Sequence, residues 1–161
     1  KLIANRSSIK NSVFVENSCS KIVFSALDYA LSSNTMTLVV GEAGMGKTQS
    51  ATVWQRQNNH GRSVMVTAPP IGAAKALLRE IARAVGVNRN LPADQMFEAL
   101  TRAFNENRIL IIDEASRLMP NDRRSTPTLL EIVRDIHDRS GCAVALLATA
   151  RFDETLRRTE Y

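Results

Sequence analysis

The segment GEAGMGKT, residues 41–48, decides the fold, because it satisfies the pattern GxxxxGK[ST] at every fixed position. An apolar run at 38–40 comes before it, and a helical pattern follows from Lys47. In this order of strand, loop and helix, glycine lets several backbone N–H groups turn toward one point at the amino end of a helix. We therefore predict a phosphate-binding loop; the alternative is a glycine-rich turn beside a surface lysine.

The predicted ligand of this loop is a nucleoside triphosphate, held together with Mg²⁺; the family resemblance described below implies that it is ATP. Lys47 is expected to reach the β- and γ-phosphates, and the hydroxyl of Thr48 is expected to coordinate the metal ion. The whole predicted nucleotide-binding set in and beside the loop is Gly41, Glu42, Ala43, Gly44, Met45, Gly46, Lys47, Thr48 and Gln49.

Two adjacent carboxylates, Asp113 and Glu114, follow the apolar run at 109–112. A buried strand would deliver them to its carboxyl end, where open α/β sheets bind their ligands. Asp113 is suited to hold the magnesium ion, directly or through water, and Glu114 is suited to polarise the water that attacks the γ-phosphate. The alternative is that both carboxylates simply face solvent at a strand end.

Thr149 follows the last apolar run, AVALLA at 143–148. Its hydroxyl would touch the γ-phosphate or the attacking water if this strand lies beside the strand that leads into the loop. A threonine at a strand end can equally be a local hydrogen-bonding residue. The predicted catalytic residues are Lys47, Glu114 and Thr149.

Short apolar runs alternate with helical patterns along the rest of the chain. Strands are predicted at 37–40, 63–67, 108–112 and 143–148, and helices at 18 to about 33, 47–58, 74–85, 92–104 and 126–140. Runs without polar alternation indicate strands covered on both faces. The fold class is therefore α/β, a three-layer P-loop NTPase with a mostly parallel central sheet. Residues 1–17 are read as an N-terminal arm or linker, and 18–161 as one core domain.

The composition limits the kinds of binding partner and the cell compartment that we expect for this protein. The chain has 161 residues, 44% of them hydrophobic, and its 21 Lys and Arg against 16 Asp and Glu give a net charge of +5. That balance is compatible with a polyanionic partner, whereas the aromatic content of 5% argues against a platform for stacking single-stranded bases. Two cysteines and two histidines suggest neither a disulfide framework nor a zinc site. No segment reads as a signal peptide or membrane span, so we expect a cytoplasmic protein.

Several segments together resemble the AAA+ ATPases of DNA transposition. They are the loop at 41–48, IIDEASRL at 111–118 and ALLATAR at 145–151, with FVEN at 14–17, RQNN at 56–59 and VMVTAPP at 64–70 as outer matches. Related helper ATPases of other transposons, and some secretion ATPases, share parts of this set. The resemblance implies an AAA+ core domain, and the lid subdomain of the family is expected to be absent from this chain.

The resemblance also implies a function. It suggests an ATPase that binds double-stranded DNA without sequence specificity, assembles in an ATP-dependent ring or filament, selects target DNA and stimulates a transposase. Phe14 and Val15 match the adenine-pocket segment, or else pack on the first helix. Thr149 stands where the family places a polar sensor, often asparagine. A neighbouring subunit would supply an arginine to the site; Arg151, Arg157 and Arg158 are candidates for inter-subunit contacts, none assigned as that arginine, and this chain alone is expected to hydrolyse ATP weakly.

Basic residues fall into separate clusters that could contact DNA phosphates. The candidates are Lys75, Arg79 and Arg83, spaced i, i+4, i+8 on one predicted helix, and Arg117, Arg123 and Arg124 after the acidic pair. Each cluster could instead be a solvated cationic surface. Two other interpretations remain open: a secretion or signalling ATPase with protein partners, and a nucleotide-binding module without appreciable hydrolysis.

Overall fold

The computed structural model describes residues 17–58, 60–70, 74–119, 128–150 and 152. Helices and strands alternate along the chain. The elements are α1 (Ser18–Ser33), β1 (Met36–Val40), α2 (Lys47–Gln57), β2 (Ser63–Thr67), α3 (Ala74–Val85), α4 (Ala93–Ala103), β3 (Ile109–Asp113), a 3₁₀ helix (Ala115–Leu118), α5 (Thr128–Ser140) and β4 (Ala143–Ala148).

The four strands form one parallel sheet in the order β1-β4-β3-β2. The strand that leads into the glycine-rich loop therefore pairs with β4, with Val40 opposite Ala148. β4 also pairs with β3. On its far side β3 pairs with β2, with Asp113 opposite Thr67. Because all four strands point the same way, their carboxyl ends share one edge, and the loop, the acidic pair and Thr149 all begin there.

Helices cover both faces of the sheet and create two apolar clusters. On one face, α1 and α2 pack against Ile109, Ile111 and Leu147; on the other, α3, α4 and α5 pack against Leu110 and Ile112. Every residue of β3 and β4 is buried, which explains why these strands lack polar alternation in the sequence. The predicted α/β class, with its parallel sheet between two helical layers, is confirmed.

The amino end of α1 is fixed by a capping box. Asn17 Oδ1 accepts a hydrogen bond from the N–H of Ser20, and Ser20 Oγ accepts one from the N–H of Asn17, both at 2.9 Å. This reciprocal arrangement satisfies two backbone donors that the first turn leaves unpaired. Asn17 thus contributes to the first helix, although the sequence prediction placed it at the end of the arm.

Most predicted elements match the structure to within two residues. Helix α4 ends at Ala103, one residue early, because Phe104 has extended backbone angles and is buried in the core. The strand predicted to begin at Arg108 begins at Ile109. Arg108 instead donates to the backbone oxygens of Gly61 and Ala103, so its side chain ties a turn to its neighbours. The helix start predicted at 126–127 lies outside the described residues. No helix in the described ranges is long and apolar enough to cross a bilayer.

The two cysteines differ in burial, which gives a chemical test of the fold. Cys142 is fully buried, and burial raises the pKa of its thiol, whereas Cys19 is partly exposed on α1. Since only the thiolate is alkylated, Cys142 should react only when the core opens. We expect iodoacetamide, followed by mass spectrometry, to modify Cys19 about 100-fold faster or more in the native protein. Urea should abolish the difference, and equal native rates would contradict the described core.

Candidate nucleotide-binding site

The glycine-rich loop connects β1 to α2 and presents backbone N–H groups at its end. Gly44 and Gly46 have φ angles of 81° and 88°, a region that side-chain-bearing residues rarely adopt. Gly46 is the N-cap of α2 and provides no side-chain capping bond. The first amides of α2 therefore have no partner within the helix, and the helix dipole adds partial positive charge at this point. This arrangement fits a phosphate group.

The side chain of Lys47, the first residue of α2, folds back over the start of the glycine-rich loop. Its Nζ donates to the backbone oxygens of Gly41, at 2.7 Å, and Glu42, at 2.9 Å. The start of the loop is also tied to the neighbouring strand, because the N–H of Gly41 donates to the oxygen of Ala148 at 3.2 Å. The ammonium charge is thus held at the mouth of the loop, next to the unpaired amides of α2.

Thr48 and Asp113, the two predicted metal ligands, touch each other. Thr48 Oγ1 donates to Asp113 Oδ2 at 2.8 Å across 65 residues of sequence. The other carboxylate oxygen of Asp113 accepts the N–H of Glu114 at 2.9 Å. A hydroxyl and a carboxylate oxygen are hard ligands of the kind Mg²⁺ takes, with phosphates and waters completing its octahedron. The donor set therefore fits Mg²⁺ bound together with a nucleotide.

Glu114 has an environment unlike that of Asp113. Asp113 is buried, whereas Glu114 is exposed and has a left-handed backbone with φ of 53°. For a residue other than glycine this conformation is strained, and such strain is concentrated at functional sites. Glu114 Oε2 lies 3.8 Å from the guanidinium of Arg117, and Arg117 in turn donates to the oxygen of Ala68 at 3.0 Å. The carboxylate is therefore accessible at the edge of the sheet where the loop lies.

Thr149 meets the condition that the sequence analysis set for a catalytic role, since β4 lies directly beside β1. Its hydroxyl is 3.0 Å from Ser116 Oγ, and its N–H donates to the same oxygen at 3.1 Å. Ser116 was not among the site residues predicted from the sequence. The signal for it was its position two residues after Glu114, in a turn that the strand end brings to the site.

The basic candidates occupy different surroundings. Lys75, Arg79 and Arg83 are all exposed on α3, as their spacing predicts. Arg83 forms an ion pair with Glu80, and Arg79 donates to the oxygen of Arg89 at 3.3 Å. Seven other predicted residues lie outside the described residues: Phe14, Val15, Arg123, Arg124, Arg151, Arg157 and Arg158.

The parallel sheet, the loop and the buried Asp113 beside Thr48 define a P-loop NTPase. The protein-family profile described as "AAA domain" matches residues 30–156, and the chain belongs to this family. A solved structure of similar fold is that of the ORC2 protein of Aeropyrum pernix in ADPNP and ADP complexes. The TM-score is 0.58 at 18% identity, over 96% of this chain and 46% of that one.

Among curated proteins, the chain is similar to phage DNA-transposition proteins. It is 30% identical over 108 residues to the ATP-dependent target DNA activator B of Escherichia phage Mu, covering 65% of this chain and 34% of that protein. It is 26% identical over 153 residues to the Mu-like prophage FluMu DNA transposition protein B of Haemophilus influenzae, covering 91% of this chain and 49% of that protein. The chain thus spans between one third and one half of these relatives, and the resemblance drawn from the motifs is confirmed.

Proposed function

We propose that this protein is a Mg²⁺-dependent ATPase that binds double-stranded DNA with little sequence preference, selects it as a transposition target and stimulates a transposase in the cytoplasm. The observation that carries the nucleotide part is the contact of Thr48 with Asp113 at the amino end of α2, whose first amides have no partner within the helix. The names of the two phage and prophage relatives support the DNA part.

Each residue of the site would have a separate role in ATP hydrolysis. The loop amides and Lys47 would bind the β- and γ-phosphates, and Thr48 and Asp113 would hold Mg²⁺, which supplies charge neutralisation at the transferred phosphoryl group. Glu114 would orient and polarise the attacking water. An arginine from a neighbouring subunit would complete the site, so we propose ATP-dependent assembly on DNA into a ring or filament, and low hydrolysis by the isolated chain.

The proposed DNA contact lies on the outer surface of α3. Arg83 has an acidic partner in Glu80, so part of its charge is already balanced. Arg79 donates to a carbonyl oxygen, which leaves its positive charge uncompensated by that contact. Lys75 is exposed one helical turn before it. We therefore expect Lys75 and Arg79 to contribute most of the phosphate attraction of this helix.

Replacing Lys75 and Arg79 together by alanine is expected to weaken DNA binding about tenfold or more near 0.1 M salt. Each lost phosphate contact removes about 0.9 from the slope of log K against log salt, so the slope should flatten by about 1.8. The measurement is a mobility-shift series with a duplex of arbitrary sequence at several salt concentrations, with and without ATP. A second duplex of different sequence should give the same affinities.

The matched control replaces Lys21 and Arg56 by alanine. These residues are exposed on α1 and α2, on the opposite face of the sheet, and the change in net charge is the same. We expect this control to bind DNA almost as the native protein does. Equal losses in both variants would show that only net charge matters and would contradict a contact at α3. DNA binding absent at every salt concentration would favour the interpretation with protein partners.

A further inference from the structure

The hydroxyls of Ser116 and Thr149 form a pair at the carboxyl edge of the sheet. The two oxygens are 3.0 Å apart, and the N–H of Thr149 also donates to Ser116 Oγ. Both residues are partly buried. Because β4 lies between β1 and β3, the pair stands between the strand that enters the glycine-rich loop and the strand that ends at Asp113.

The number of protons and lone pairs on the two hydroxyls determines which hydrogen bonds the pair can make with a ligand. Each hydroxyl has one proton and two lone pairs, and one of the two protons lies between the oxygens. Whichever residue supplies that proton, the other hydroxyl keeps its own for an outside acceptor. Ser116 Oγ also accepts the N–H of Thr149, so two of the four lone pairs are used and two remain. The pair therefore presents one O–H donor to its surroundings, which a phosphate oxygen can accept.

Ser116 is held firmly and is linked to Glu114. It belongs to the 3₁₀ helix, whose Ala115 and Leu118 are buried in the core. The N–H of Arg117 donates to the oxygen of Glu114 at 2.9 Å, which joins this turn to the exposed carboxylate. A ligand that binds the hydroxyl pair would thus bind a unit whose backbone also sets the position of Glu114.

We propose that Ser116 is a positioning residue, which holds the Thr149 hydroxyl so that the pair donates a single hydrogen bond to the γ-phosphate of ATP. This inference rests on the proposed function, since it assumes that the loop binds ATP. Ser116 would thus act on the γ-phosphate only through Thr149. This contact, which ADP cannot make, would add to the binding of the β- and γ-phosphates by the loop amides and Lys47.

The test compares ADP and ADPNP affinities of the complete chain, measured by competition with a fluorescent ADP in the presence of Mg²⁺. In Ser116→Ala and in Thr149→Val, we expect ADPNP affinity to fall about tenfold and ADP affinity to stay within about twofold. The double variant should lose no more ADPNP affinity than the single variant with the larger loss, because the two hydroxyls together supply one donor. Thr149→Ser, which keeps the hydroxyl, should retain most of the preference for ADPNP, and Ser25→Ala, at an exposed serine of α1, is the control.

The outcomes separate this inference from the proposed function. An unchanged ratio of the two affinities in Ser116→Ala, while the native chain binds both nucleotides, would overturn the inference alone. Equal losses for ADP and ADPNP would show a purely structural role and would also overturn it. Additive losses in the double variant would mean two separate donors and contradict the pair. A native chain that binds neither nucleotide would overturn both proposals.

Discussion

Lys47→Ala is expected to weaken Mg²⁺-ATP binding at least about 100-fold, because hydrogen bonds to charged groups contribute about 1.5–3 kcal/mol each and this ammonium would serve two phosphates. In the structure its Nζ rests on the backbone oxygens of Gly41 and Glu42. Those oxygens lie near the surface and can bind water once the side chain is shortened, so the fold should survive. The measurement is a titration of the protein with a fluorescent ATP analogue.

The control for Lys47→Ala is Lys21→Ala, which removes the same charge from the exposed surface of α1. It should bind the analogue as tightly as the native chain. Folding can be followed through Trp54, the single tryptophan, which is buried on α2 and donates to Asp28 at 2.8 Å. Native Trp54 fluorescence with lost binding is the expected pair of results. Unchanged affinity in a folded Lys47→Ala protein would contradict the role of this lysine.

Glu114→Gln is expected to keep nucleotide affinity and to slow hydrolysis by about two to four orders of magnitude, the usual contribution of a general base. The amide has the same shape and fits the same exposed position, but it cannot accept a proton from water. Asp113 and Thr48 do not change, so metal binding should persist. Phosphate release under single-turnover conditions, with Mg²⁺-ATP and duplex DNA, measures the effect even where the native rate is low.

The control for Glu114→Gln is Glu106→Gln, an equal change of charge at an exposed turn after α4. Its rate should match that of the native chain. A Glu114→Gln protein that binds ATP and hydrolyses it at the native rate would show that another group polarises the water. The proposed assignment of Glu114 would then be wrong, while the binding role of the loop would stand.

The sequence was sufficient to predict the helices and strands and the backbone conformation of the glycine-rich loop. Glycines at 44 and 46 indicate left-handed backbone conformations, which other residues rarely adopt. In the structure both have positive φ angles. An uninterrupted apolar run before Asp113 predicts a strand buried on both faces, and β3 is fully buried. These signals are local, because each depends on residues close together in the chain.

Relations between distant segments could not be predicted in the same way. The order β1-β4-β3-β2 follows from how the crossovers pack, and no local pattern encodes it. That order is what places Thr149 beside the loop strand and within reach of Ser116. The left-handed turn at Glu114 was also unforeseen, since glutamate has no preference for it. Hydroxyl contacts between separate loops depend on tertiary geometry, which explains why Ser116 was missed.

The most direct test of the account is calorimetric titration of the 161-residue chain with Mg²⁺-ATP, repeated after saturation with ADP. We expect saturable binding at one site per chain, which is weakened when Mg²⁺ is removed and blocked by ADP. This result follows from the proposed roles of the amides at the start of α2, Lys47 and the Thr48–Asp113 pair. The absence of heat, together with failure of ADP to displace a fluorescent nucleotide, would contradict the central claim that this edge of the sheet binds a nucleoside triphosphate.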